Sequence, residues 1–125
     1  MKVKNIFSLF VIFVSIICIF INYKVFRSNL YQAYLLYDYN NEKFLVPNEV
    51  YSEKMDDDFP NLTFTALPIK VLKARYYMEL DSLKTAKSLL FHAMSENPYL
   101  MASEEMLAKI YLDEQKLDSA YFFAK

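Results

Sequence analysis

Three adjacent carboxylates, Asp56, Asp57 and Asp58, are the densest cluster of chemically able side chains in this sequence. Carboxylates can hold a divalent cation, but consecutive residues do not share a face, and no calcium-loop spacing comes after them. The expectation is a solvated turn before Phe59-Pro60. His92 is the single histidine, and the single cysteine, Cys18, lies inside a long apolar run. A zinc site needs several N or S ligands, and a hydrolytic triad needs a nucleophile beside an oriented histidine; neither can be assembled here. One cysteine cannot form an internal disulfide. His92 reads as a surface or packing residue. Asn61-Leu62-Thr63 matches the N-glycosylation sequon, which carries meaning only in a eukaryotic host. Tyrosine and phenylalanine, 11 of each, read as core and membrane-interface packing more readily than as a ligand box. The sequence therefore predicts no catalytic residue, no metal, no cofactor and no small-molecule substrate.

The elements that would position these residues begin with an apolar run. From Asn5 to Tyr23 no residue is charged, and Lys4 and Lys24 bound the stretch. At about 1.5 Å per residue it matches the roughly 30 Å hydrocarbon layer of a bilayer. A cleaved signal peptide would have a shorter apolar core and a small-residue exit, and Asn22-Tyr23-Lys24 is not one. A lipoprotein use of Cys18 would want small residues where Ile16-Ile17 stand. The expectation is an uncleaved single-span anchor at 5–23 behind a short basic head at 1–4. Basic residues are nearly balanced across it, Lys2 and Lys4 before and Lys24 and Arg27 after. The short head makes the signal-anchor orientation the default, with 24–125 outside the cytoplasm.

Beyond the anchor, about 100 residues suffice for one small domain. A formal net charge of −1 and the lack of a basic patch argue against nucleic acid. The chain has no glycine, which helices joined by Asn, Asp and Pro turns tolerate. The abundance of Lys, Asn, Ile, Phe and Tyr suggests an AT-rich bacterial genome. Residues 24–66 form an acidic, tyrosine-rich connector. Leu30, Tyr31, Tyr34, Leu35 and Tyr37 suggest that the membrane helix continues outward or restarts, and Val50 to Met55 suggests a short helix after Pro47. A helix pair packed on the C-terminal half of the chain is favoured over a partly disordered acidic linker, because the aromatics need burial.

The C-terminal half, residues 67–125, repeats itself. Ala74, Tyr77, Leu83 and Ala86 recur 34 residues later as Ala108, Tyr111, Leu117 and Ala120. Leu72, Arg75, Glu79 and Thr85 are echoed by Met106, Lys109, Asp113 and Ser119. Apolar residues recur at helical spacing through 72–80 and 89–94. Asp81 and Ser82 stand where a side chain can cap the next helix, and Pro98 stops it. Glu104 and Glu105 open a further helix, and Asp118 another, where the dipole favours acids.

A period of 34 with these residues resembles the tetratricopeptide repeat, a helical hairpin that stacks into a solenoid. The resemblance covers residues 67–125, as one repeat at 67–100 and a truncated one at 101–125. Ala74, Tyr77, Ala86, Leu90, Ala93 and Pro98 fill the family's packing positions in the first copy, and Ala108, Tyr111 and Ala120 in the second. Lys70 and Glu104 replace its tryptophan, Lys73 its leucine in the first copy, and alanine its glycine in both. The implied fold is all-α: one N-terminal transmembrane helix, then a helical-hairpin solenoid. The family implies protein binding, with first helices lining a concave face. Arg75 and Lys109 would lie side by side there, with Met78 and Leu112 one turn onward, as a groove for an acidic or carboxylate-bearing segment. The alternative is that both cations are solvated or pair with Glu79, Asp113 and Glu105.

A second resemblance rests on the order of segments: an apolar span, a tyrosine-rich acidic connector, Phe59-Pro60-Asn61-Leu62-Thr63, Leu67-Pro68-Ile69, Lys73-Ala74-Arg75-Tyr76-Tyr77, Glu96-Asn97-Pro98-Tyr99-Leu100 and Leu117-Asp118-Ser119-Ala120-Tyr121. It is similar to the C-terminal extracytoplasmic tail of O-antigen ligase-like and polymerase-like membrane proteins of Bacteroidetes-type bacteria. It implies a bacterial inner-membrane protein with a periplasmic, non-catalytic scaffold domain in surface polysaccharide assembly. The alternative is a C-terminal fragment of such a glycosyltransferase, without its catalytic helices.

Overall fold

The computed structural model describes residues 3–125, with side chains from Ile6 onward; Lys2 lies outside the described residues, and of Lys4 only the helical backbone is described. The protein is all-helical among the described residues, apart from an isolated antiparallel bridge between Leu62 and Pro68. The α-helices are α1 (Val3–Asn40), α2 (Ile69–Glu79), α3 (Leu83–Glu96), α4 (Ala102–Asp113) and α5 (Leu117–Phe123), with a π-helical turn at Val50–Lys54 between α1 and α2.

Helix α1 runs 38 residues without a break. Neither glycine nor proline interrupts it, so no backbone donor is lost and no kink is forced. Its two halves have different surroundings. From Ile6 to Tyr23 every side chain is exposed, and this part is long and apolar enough to cross a membrane. From Lys24 onward burial becomes one-sided: Ser28, Gln32, Leu35, Leu36 and Asp38 are buried while Phe26, Leu30, Tyr34 and Tyr37 stay exposed. The helix thus leaves its apolar stretch and lies along the domain without a joint.

The connector is packed rather than loose. Tyr51 stacks on Tyr76 with ring centroids 4.4 Å apart and meets Tyr77 edge-on at 5.7 Å. Met55 is buried beside them in the same apolar cluster as Leu35, Ile69 and Leu72. The expected helix at Val50 to Met55 takes π form, closed by the Met55 N–H on the Val50 carbonyl at 2.9 Å.

Helices α2–α3 and α4–α5 form two hairpins closed by one turn geometry. The N–H groups of Leu80, Asp81 and Ser82 donate to the carbonyls of Tyr76, Met78 and Tyr77 at 3.1, 3.0 and 2.8 Å. Those of Glu114, Gln115 and Lys116 donate to Ile110, Leu112 and Tyr111 at 3.0, 2.9 and 2.8 Å. Each donor and acceptor moves by 34 positions. The turn needs a left-handed residue, and Asp81 (φ 55) and Gln115 (φ 60) supply it. Helix α1 ends the same way at Glu42 (φ 53), with the Lys43 N–H on the Asp38 carbonyl at 2.9 Å. A chain with no glycine thus closes three helices with Glu, Asp and Gln. Capping at Asp81-Ser82 differs from expectation: Ser82 is the N-cap of α3 but makes no side-chain cap bond, and Asp81 serves the turn through its backbone.

Small residues sit where the hairpin helices cross. Ala74, Ala86, Ala93 and Leu90 are fully buried, as is Leu107, and Ala120 is nearly so. Tyr77, Tyr111 and Ala108 are half-buried, and Pro98 lies exposed beyond the end of α3. The second hairpin closes on aromatics, with Tyr111 stacked on Phe123 at 5.6 Å and Phe91 against Phe123 at 5.8 Å.

Candidate docking site

A cleft of about 610 Å³ opens between the end of α1, α2 and α4, and Arg75, Met78 and Lys109 all line it. Tyr39, Glu42 and Phe44 form one wall, and Met106 and Glu105 the other. Leu112 is not part of the lining; it stands 57% exposed further along α4.

The two cations have different fates. Arg75 turns towards α1. Its Nη1 donates to the Asp38 carbonyl at 3.0 Å, and the guanidinium lies over the rings of Phe44 (4.4 Å) and Tyr39 (5.3 Å). A guanidinium so engaged is held by the cation–π attraction and by its bond. Lys109 stays exposed. Among the described residues neither forms an ion pair with Glu79, Asp113 or Glu105. The cleft is thus lined by Glu42, Glu79 and Glu105 beside the two cations Arg75 and Lys109. Arg75 keeps its charge on the cleft wall while its guanidinium is tied to the Asp38 carbonyl, and Lys109 stands open beside it.

Beneath the cleft lies a buried carboxylate that sequence reasoning did not single out. Asp38, 1% exposed, accepts at Oδ2 from the Leu45 and Val46 N–H groups at 2.6 and 3.0 Å and from the Tyr76 hydroxyl at 2.6 Å. It reverses the chain after α1 and ties α1 to α2. Burial first, and then the bond to Asp38, push the Tyr76 phenol well above its usual range, so Tyr76 is a fixed donor.

The acidic triad lies in a bend before Phe59-Pro60, with Asp56 and Asp58 exposed and Asp57 half-buried, and there it forms a second junction. Asp56 Oδ2 pairs with Lys24 at 2.9 Å, where α1 leaves its apolar stretch. Asp57 Oδ1 pairs with Lys73 at 3.0 Å. Lys70 Nζ donates to Glu96 at 2.6 Å, to the Asp57 carbonyl at 2.8 Å and to Asp58 at 3.5 Å. The three carboxylates are spread over three lysines, with Lys70 shared by Asp57 and Asp58, and among the described residues no group of three His, Cys, Asp or Glu could hold a metal. The bond to Lys24, aided by the Asp58 N–H, holds the Asp56 carboxyl below its ordinary value. Burial works against the Lys70 charge, but Glu96 outweighs it and the ammonium is raised. The signal was present in the sequence: Lys70 and Lys73 are the two places where the first repeat departs from its apolar pattern.

His92 is exposed on α3. Thr63 of the sequon is buried, its hydroxyl bonded to the Leu67 N–H at 3.1 Å. No protein-family model matches the chain, nor does any curated protein or solved structure.

Proposed function

We propose that this chain is a membrane-anchored, non-catalytic interaction module of the tetratricopeptide type, with its helical hairpins on the extracytoplasmic side of a bacterial inner membrane. The observation that carries the reading is the cleft along α2 and α4, first helices of two hairpins that repeat bond for bond at an offset of 34. Met78, Met106 and Phe44 offer it apolar, adaptable surface, and Glu42, Glu79 and Glu105 offer charge. A partner segment carrying lysine or arginine beside an apolar residue fits this lining. A setting in surface polysaccharide assembly rests on the resemblance of the connector and the repeats.

Two measurements test the reading. A photo-crosslinking residue at Met106, in cells of the source organism, is expected to capture a discrete partner, and Glu79→Lys with Glu105→Lys is expected to abolish that capture with the domain still folded. Capture that survives the double reversal removes the cleft as the docking site. A phosphatase fused after Lys125 is expected to be active outside the cytoplasm; an inactive phosphatase with an active cytoplasmic reporter reverses the orientation.

A further inference from the structure

Where α1 leaves its apolar stretch, a small cavity of about 200 Å³ opens beside it. Phe20, Tyr23, Lys24 and Arg27 line it from the helix, and Lys54 and Asp56 line it from the connector. The helix residues share a face because steps of three and four return to one side of an α-helix. The connector residues are delivered by the fold. The π-helical turn ends at Lys54, and Asp56 Oδ2 is held on Lys24 at 2.9 Å.

Three cations thus line this cavity beside one carboxylate. Two of them are paired, Lys24 with Asp56 and Lys54 with Glu49 at 2.6 Å, and both lysine side chains remain 41% exposed. Pairs as exposed as these are weak and readily exchange partners. Arg27 is exposed and forms no ion pair among the described residues; its guanidinium lies 5.9 Å from the Tyr31 ring centre. A guanidinium carries N–H donors in a fork that matches two oxygens of one phosphate.

Depth selects the ligand. Lys24 stands about 1.5 Å and Arg27 about 6 Å past Tyr23, the last residue of the uncharged run. The headgroup layer beyond the hydrocarbon is roughly 5–8 Å thick on each side. Both cations fall within it, at the level of the lipid phosphates. Phe20 and Tyr23 are exposed just below them, where aromatic rings favour the interface. The cavity is also smaller than the roughly 300–1,000 Å³ of sites that enclose a whole small molecule, which suits a headgroup whose tails stay in the bilayer.

The geometry points to this cavity as a site for the phosphate of an anionic phospholipid, held by Arg27 and Lys54 with Lys24 beside them. The inference rests on the reading of α1 as a membrane span. Three cations against one carboxylate favour an anionic headgroup over a zwitterionic one. A lipid bound there bridges α1 and the connector, and so fixes the face that the domain turns to the bilayer.

Full-length protein is placed in nanodiscs of phosphatidylcholine with a minority of phosphatidylglycerol, extracted gently, and weighed with its retained lipid by native mass spectrometry. The expected result is one phosphatidylglycerol per chain, enriched over its share of the disc. Arg27→Ala with Lys54→Ala should cut that enrichment about tenfold, with thermal unfolding of the hairpins unchanged. Lys84→Ala with Lys125→Ala, the same loss of charge at exposed positions outside the cavity, should leave it intact. Retained lipid in the proportion of the disc, or equal losses from both pairs of substitutions, overturns the headgroup site while leaving the anchor standing. Displacement of the lipid by inorganic phosphate marks a site for a free anion and overturns it too. Release of the chain from native membranes by alkali overturns both the site and the anchor.

Discussion

The two hairpins share a backbone and differ in what their first helices are asked to touch. At the position of Lys73 in α2 stands Leu107 in α4; at Lys70, Glu104; at Arg75, Lys109; at Tyr76, Ile110. In α2 all four side chains reach outward to α1 or the connector: Lys73 to Asp57, Lys70 to Asp57 (and also to Glu96 at the end of α3), Arg75 to Asp38 and Phe44, Tyr76 to Asp38. In α4 the counterparts turn inward or stand open. Leu107 and Ile110 are buried apolar side chains, Lys109 is exposed, and Glu104 has a buried oxygen with no partner in the described structure. The repeat unit fixes the hairpin, and the departures from it decide what each hairpin joins. The first is tied to α1; the second makes no such tie among the described residues.

The largest effect expected from breaking that contrast is at Asp38. Asp38→Ala strands the Tyr76 hydroxyl and two backbone N–H groups, at a cost of about 1–3 kcal/mol for each donor left buried without an acceptor. Urea unfolding of the full chain in detergent micelles should show that loss, and a drop of under about 1 kcal/mol would show that α1 and α2 are not joined there.

Asp57→Ala should come next. It leaves the Lys73 ammonium, whose side chain is 8% exposed, with the Met55 carbonyl at 3.5 Å, at a cost of about 2–4 kcal/mol. Adding Lys73→Leu imports the residue of the second hairpin and should recover most of that loss, since Leu107 is fully buried at the equivalent place. A double variant as unstable as the single one would mean that Lys73 and Asp57 do not act as a pair.

A smaller gain is expected at the shared turn. Gln115→Gly and Asp81→Gly each relieve a side chain held in the left-handed region, offset in part by the greater freedom of glycine when unfolded, for a net gain of about 0.5–1 kcal/mol. Equal gains at both sites would show that the turns are equivalent in energy as well as in geometry.

Acid should loosen the junction with little effect on the hairpin cores. The Asp56 carboxyl is lowered chiefly by Lys24. Its contribution is present above the unfolded carboxylate value and is lost as pH falls below about 4 through the folded one. Lys70 is raised, so its contribution is present below its ordinary value near 10.5 and is lost only in stronger alkali. A fluorescent label beside Lys24 should report the acid step, and its absence down to pH 3 would show that this pair adds nothing.

Much of the architecture was legible. The uncharged run, the interval of 34 and the alanines at the crossings are local patterns, and each falls on helices in the structure. The turn residues were harder: without glycine, the left-handed positions fall on Glu42, Asp81 and Gln115, which look like any polar loop residue. The junctions were hardest, because Asp38 finds Tyr76 across 38 positions and Lys24 finds Asp56 across 32. No periodicity encodes such pairs. Lys70 and Lys73 marked the place, as charges where the repeat has apolar side chains, but not the acids they seek. Arg75 and Lys109 fall on one cleft as their interval of 34 suggests, but the tie of Arg75 to α1 cannot be seen along α2.

Hydrogen exchange on the full-length protein in lipid nanodiscs tests the central contrast most directly. The account predicts slow exchange through α2 and the 50–58 segment, held by Asp38, Asp57, Lys70 and Lys73, and faster exchange through α4 and α5. Asp38→Ala should release α2 and 50–58 and leave α4–α5 unchanged. Exchange in α4–α5 as slow as in α2, or a loss of protection from Asp38→Ala spread evenly over both hairpins, would contradict it.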